Sequence, residues 1–219
     1  IAVIIFVVVC IILCVKKKIT GYRLFANIIV LAVFSLIMIR SLAIYYIKAP
    51  NAKELCVSDS YVHATVKERG VEVEQIAEIA WKQQSKYTKD IPMAVAVDSV
   101  LKILSYRDIF HYIQLGAEID RLAEEHQFRG PIQDILFYDL GLFGIDEVLG
   151  LEIAGTYGAI GKTNFGDIDV NKPGIVRDLN EIGKNEYGVD NPDAKCHTML
   201  DDIIGAIAAS ASTRVAQIM

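Results

Sequence analysis

The sequence predicts an all-α protein: a single compact multi-helix domain over residues 50–219, preceded by a membrane-anchoring helical segment over residues 1–49. Three observations carry this expectation. From Asn51 onward apolar residues recur at i, i+3 and i+4, and the two-residue alternation of strands is rare. Residues 1–47 are apolar at 37 positions and hold five basic residues (Lys16, Lys17, Lys18, Arg23 and Arg40) but no acid. The remainder keeps 17 of the 22 Lys and Arg against all 27 Asp and Glu, so the net charge of −5 joins a basic segment to an acidic domain. This division excludes a disordered chain, a collagen-like chain and a disulfide mini-protein. It also excludes nucleic acid as an expected partner, because phosphate contacts come mostly from Lys and Arg.

Ile1 to Val15 is an unbroken apolar run, stopped by Lys16-Lys17-Lys18. It is shorter than the roughly 20 residues of a full span. The sequence starts without Met, so a truncated span is expected. A signal peptide would carry its charge before the apolar run rather than after it. Leu24 to Ile47 is long enough to cross a bilayer with some tilt, with Arg40 near the Pro50 boundary. Two membrane helices joined by a basic loop are expected; the alternative is one span and an interfacial helix. The positive-inside rule places the Lys16–Arg23 loop in the cytoplasm, so two full spans would leave the domain outside. An interfacial second helix, or the weight of Lys48 and Lys53, would place it inside. Cys10, Cys14, Cys56 and Cys196 are unclustered and read as reduced thiols, although Cys56 and Cys196 can in principle pair.

The helices follow in order. Ser58–Arg69 ends at Gly70. Glu72–Lys86 carries a stripe of Val73, Ile76, Ala77, Ala80 and Trp81. Pro92 suits a first helical position before Met93–Leu104. Ser105-x-x-Asp108 looks like a capping box opening a long helix to about His126. After Arg129-Gly130-Pro131 comes a short helix, Ile132–Asp139. A Gly141/Gly144 turn precedes a helix from Asp146 to about Ile160. Gly161 to Gly174, rich in Gly, Asn, Asp and Pro, reads as a loop. Ile175–Gly183 is helical, Lys184–Lys195 is a polar loop, and Thr198 is expected to cap a final helix running to the C-terminus.

Two acid pairs, Asp146-Glu147 and Asp201-Asp202, each open a helix. Carboxylates in a first turn complement the helix dipole and cap free N–H groups, so both pairs can be simple caps. Small residues follow each pair: Gly150, Ala154, Gly155 and Gly158 after the first, and Gly205, Ala206, Ala208 and Ala209 among others after the second. Helices this smooth can approach closely and bring four carboxylates near one point. A cation would then be needed to hold them, and oxygen ligands suit Mg²⁺.

Lys162, Thr163 and Asn164, flanked by Gly161 and Gly166, are candidate hydrogen-bond donors to a phosphate. They do not form a P-loop, because Thr156 stands where that motif needs glycine. Asp167-x-Asp169 resembles an aspartyl-nucleophile motif, but no strand precedes it. Cys196-His197 with Asp201 is a weaker candidate metal set. His111, Gln114 and Glu118 share a helix face with Asp120 close by, and are expected to be structural polar residues.

Several blocks together resemble the phosphatidylglycerophosphatase A family, most closely its small Gram-positive branch. They are Arg107-Asp-Ile-Phe-His111 through Glu124, Phe143-Gly-Ile-Asp-Glu147, Tyr157-Gly-Ala-Ile-Gly-Lys-Thr-Asn-Phe-Gly166, and Thr198-Met-Leu-Asp-Asp202 with the small residues behind it. The resemblance covers about residues 56–217. It implies a Mg²⁺-dependent lipid phosphatase that hydrolyses phosphatidylglycerophosphate to phosphatidylglycerol and phosphate. It further implies that Glu147, Asp201 and Asp202 hold the metal, with Asp146 a further ligand or the base that orients water. The implied partners are a phospholipid substrate and a membrane, with a homo-oligomer compatible. The implied location is the bacterial cell membrane with the domain facing the cytoplasm. The competing expectation is a non-catalytic, membrane-tethered helical module that binds a metal or ligand on the same scaffold.

Overall fold

The computed structural model describes residues 59–140, 144–189, 191 and 193–219, all within one compact unit, Lys53–Met219. The apolar stretches of residues 1–47 and Cys10, Cys14 and Cys56 lie outside the described residues. Among the described residues there is no strand, and no helix is long and apolar enough to cross a membrane.

The order is α1 (Asp59–Glu68), α2 (Val73–Ser85), α3 (Met93–Leu104), α4 (Arg107–Glu124), α5 (Ile132–Phe137), α6 (Ile145–Gly155), α7 (Gly158–Asn171), α8 (Ile175–Ile182) and α9 (Leu200–Ile218). The architecture is organised around α9, against which α7, α2, α6 and α3 pack most extensively. Its residues from Leu200 to Thr213 are all buried. A helix covered on every side needs small or apolar residues all round. The Gly205–Ser212 run supplies the small ones, and Ile203, Ile204 and Ile207 fill the gaps.

Several helix ends differ from the sequence reading. α4 starts at Arg107 with Tyr106 as its cap residue, and the Ser105 hydroxyl instead donates to the Lys102 carbonyl at the end of α3. Glu72 does form a capping box, donating its backbone N–H to Gln75 Oε1 at 2.9 Å. Thr198 does not cap α9, because its hydroxyl donates to the Leu136 carbonyl at 2.7 Å.

The larger correction concerns residues 145–174. The expected helix to Ile160 stops at Gly155, and most of the expected loop is α7. Gly158 breaks the chain with φ +70°, a conformation that side chains disfavour, and the second helix starts there. Poor intrinsic helix formers then stay helical because Phe165 and Ile168 bury one face of α7 against the core. Propensity is a weak prior that tertiary burial overrides. Gly161 permits the tight α6–α7 approach, since a Cβ there would strike the Ala154 carbonyl oxygen.

Candidate functional site

Asp146 and Glu147 are the second and third residues of α6, and Asp201 and Asp202 hold the same positions in α9. Gly150 and Gly205 each lie four residues beyond the first acid of their pair, about one turn. Both abut one ring. A Cβ on Gly150 would meet Phe165, and a Cβ on Gly205 would lie 3.7 Å from Phe165 Cε2. The acid-bearing ends of the two helices therefore share a single phenyl ring of α7, while farther along the helices touch directly, with the Ser210 hydroxyl of α9 donating to the Ile153 carbonyl of α6 at 3.4 Å.

Asp201 and Asp202 are buried, and they meet Lys172, the residue that ends α7 in the left-handed region with φ +41°. Its ammonium donates to Asp201 Oδ2 at 3.0 Å, Asp202 Oδ1 at 3.1 Å and Asp169 Oδ1 at 2.8 Å. Three carboxylates from two helices thus share one cation. Burial opposes the charge on Lys172, but Asp201, Asp169 and Asp202 outweigh it and hold the ammonium well above its usual range. Burial pushes the Asp201 carboxyl up to about 6, against the pull of Lys172. Burial and the neighbouring Asp201 push Asp202 up to about 8.

The first pair stands differently. Asp146 is buried and accepts the Glu147 backbone N–H at 2.8 Å, whereas Glu147 is exposed. Burial raises the Asp146 carboxyl, and the charges of Glu147 and Asp139 add to the shift. Asp139 also raises Asp201, so its charge is felt by both acid pairs. Among the described residues, no three His, Cys, Asp or Glu side chains are arranged to hold a metal ion. Where Asp169, Asp201 and Asp202 meet, the Lys172 ammonium occupies the shared position.

The residues nonetheless suit a hard cation. The donors are all carboxylate oxygens, and the ammonium is itself a stand-in for a positive ion.

The start of α9 is fixed from another helix. Asp120 of α4 is fully buried and accepts the backbone N–H groups of Met199 at 3.0 Å and Leu200 at 3.1 Å. Burial pushes its carboxyl up to about 8, opposed by these two donors and by Arg69. Arg69 in turn donates to both Glu124 oxygens and, at 2.6 Å, to the Cys196 carbonyl. The structural reading of the polar α4 face holds for Asp120 and for Gln114, which donates to the Thr65 hydroxyl.

Cys196, His197 and Asp201 do not converge as a metal set. Cys196 is buried with its thiol pushed up to about 12 by burial and by Asp120, and its Sγ lies 3.3 Å from the Leu136 carbonyl. His197 Nδ1 faces Arg69, while Asp201 belongs to the Lys172 cluster.

Lys162, Thr163 and Asn164 lie on α7 rather than on a loop. The Thr163 hydroxyl donates to the Ala159 carbonyl, and Asn164 donates to the Thr213 hydroxyl at 3.1 Å. Eight residues of helix, about 12 Å, separate Asn164 from Lys172. Thr163 and Asn164 instead line a cavity of about 410 Å³ with Gln84, Tyr87 and Ile160, a lining that contains none of the acids. The structure therefore does not bring these three donors to the acid cluster. The sequence reading missed Lys172, and it weighed Asp169 only as part of an aspartyl-nucleophile motif, not as a partner of Asp201 and Asp202. The signal for Asp169 and Lys172 was an acid and a base three residues apart, just before Pro173, inside a stretch read as loop.

Comparison with known proteins follows the same lines. The family model for phosphatidylglycerophosphatase A matches residues 88–217. The Bacillus subtilis protein YutG, described as uncharacterized, is 42% identical over 158 residues, covering 72% of this chain and 90% of YutG. The crystal structure of YpjQ from Bacillus subtilis is similar at a TM-score of 0.66 and 38% identity, covering 76% of this chain and 95% of that one. The low temperature requirement C protein from Listeria monocytogenes is similar at the same TM-score and identity, over 73% of this chain and 95% of that one.

Proposed function

The chain belongs to the phosphatidylglycerophosphatase A family, and from that membership we propose that it is a Mg²⁺-dependent lipid phosphatase, hydrolysing phosphatidylglycerophosphate to phosphatidylglycerol and phosphate. The observation that carries this reading is the meeting of Asp169, Asp201 and Asp202 around one cation position.

Asp201 and Asp202 would hold the metal, with Asp169 at the more open side and Glu147 exposed beside the buried Asp146. When bound, Mg²⁺ supplies positive charge to offset that on the transferring phosphoryl group. Burial raises the Asp146 carboxyl above the usual carboxylate range, which makes it a stronger base toward a proton of the attacking water. Asp120 keeps the first turn of α9 in place, and so sets where Asp201 and Asp202 stand. The apolar, acid-free composition of residues 1–47 supports attachment to the bacterial cell membrane, where a two-tailed substrate resides; the domain faces the cytoplasm on the arrangement in which the second apolar stretch lies in the interface instead of crossing.

The test is phosphate release from phosphatidylglycerophosphate by the full chain, with and without Mg²⁺, for the wild type and for Asp202→Asn. Release that needs Mg²⁺ and falls at least about a hundredfold in the variant supports the reading. No release, or release indifferent to Asp202, sinks it and favours a non-catalytic module.

A further inference from the structure

We propose that Lys172 is the internal counter-cation of the acid cluster. Its ammonium gathers Asp169, Asp201 and Asp202 while no divalent cation is bound, and withdraws from Asp201 and Asp202 onto Asp169 when one arrives. The inference rests on the metal-dependent reading above and adds what this residue does toward the cation.

Four features of the cluster support it. An ammonium has three N–H donors, and Lys172 places them on three different carboxylates at 2.8, 3.0 and 3.1 Å. With all three carboxylates ionised, one ammonium leaves two negative charges in excess, the charge that one divalent cation would neutralise. The same carboxylate oxygens cannot closely coordinate a small divalent cation, at about 2.0–2.1 Å, while an ammonium stays wedged between them. The partners also differ in exposure. The Asp201 and Asp202 side chains are 8% and 4% exposed, those of Asp169 and Lys172 27% and 26%.

That inequality gives the exchange its direction. Asp169 and Lys172 sit three residues apart at the same helix end, so their local ion pair survives a small swing of the lysine stem toward solvent. The bonds to α9 are the ones relinquished. The backbone of Lys172 need not move, because its N–H remains bonded to the Ile168 carbonyl at 2.7 Å and Pro173 follows. A flexible four-carbon stem on a fixed backbone can move the charge without unfolding the helix end.

The experiment uses the full chain in two measurements. Isothermal calorimetry with MgCl₂ compares the wild type with Lys172→Met. Reductive methylation, read by mass spectrometry at each lysine, follows the wild type across the same Mg²⁺ range, with exposed Lys89 as the internal control. The variant is expected to bind Mg²⁺ about tenfold tighter or better, equivalent to about 1.4 kcal/mol. Lys172 in the wild type is expected to become more reactive as Mg²⁺ saturates, while Lys89 stays constant. If the wild type binds Mg²⁺ with Lys172 reactivity unchanged, or the variant binds no tighter, the counter-cation role is wrong and the metal-dependent reading survives. If neither protein takes up Mg²⁺, both fall. Should Lys172→Met not fold, methylation of the wild type alone decides.

Discussion

Asp120, fully buried in α4, accepts the backbone N–H of Leu200 at 3.1 Å, and so caps from another part of the chain the helix that carries Asp201 and Asp202. The Met199 N–H completes the cap at 3.0 Å. Asp120→Ala leaves two buried N–H groups without this acceptor. It is expected to lose about 1–3 kcal/mol, less than two lost bonds would suggest, because burying the carboxyl is itself costly. Urea unfolding monitored by circular dichroism measures this. A variant as stable as the wild type would mean that water or a neighbour caps α9 instead.

The α6–α7 contact gives a prediction of opposite signs within one helix. A Cβ on Gly161 would strike the Ala154 carbonyl oxygen, a backbone atom that cannot rotate aside, so Gly161→Ala is expected to destabilise by about 1–3 kcal/mol. A Cβ on Gly166 would meet nothing within 4 Å, so Gly166→Ala is expected to stabilise α7 by about 0.5–1 kcal/mol. Thermal melts of both variants check the pair. If Gly166→Ala also destabilises, that face of α7 is covered by something else.

These glycines also show what was legible in the sequence. Gly161 and Gly166 punctuate a stretch with few apolar residues, and composition alone reads it as a loop. Only the burial of Phe165 and Ile168 makes it a helix, and burial is a property of the fold. With the loop assignment went Asp169 and Lys172, whose placement depends on where α7 ends. The acid pairs were legible because a helix N-terminus is a local feature: acid, acid, then small residues. The cap on α9 was not. Thr198 has the local pattern for it, but Asp120 lies 80 residues from Leu200, and no spacing rule reaches that far.

His197 makes the acid limb of stability testable. Arg69 can only donate, so the His197 Nδ1 facing it at 3.3 Å accepts, and the neutral ring carries its proton on Nε2. Burial and the Arg69 charge push this imidazole down to about 4. An unfolded histidine takes up its proton near 6.5, so the unfolded state binds more protons as pH falls below that value. The His197 contribution is fully present above about pH 6.5 and is lost as pH falls toward 4, amounting to on the order of 2–3 kcal/mol. Denaturant midpoints between pH 4 and 7 should fall on the acid side, and His197→Gln should flatten the fall. An unchanged slope in the variant would place the acid sensitivity elsewhere.

Asp201 and Asp202 impose the opposite slope on the metal-free protein. Their carboxyls are pushed up by burial to about 6 and about 8, the higher of the two also by repulsion from Asp201 and Asp169. In the unfolded chain both ionise near 4. Between about pH 4 and 8 the folded state therefore binds more protons, and this pair makes stability decline as pH rises through that window. Asp202→Asn should lessen the decline and, at pH 8, leave the metal-free protein as stable as the wild type or more so. If Asp202 served only to cap α9, the variant would lose roughly 0.5–2 kcal/mol, with no relief at high pH. Mg²⁺ separates the two cases further. It competes with protons for the carboxylates, so on the proposed reading its stabilisation of the wild type should be larger at pH 8 than at pH 5, and reduced in Asp202→Asn. Unfolding curves at both pH values, with Mg²⁺ and with chelator, provide the measurement. A Mg²⁺ effect that is the same at both pH values, or survives intact in the variant, would take the cation away from these two aspartates.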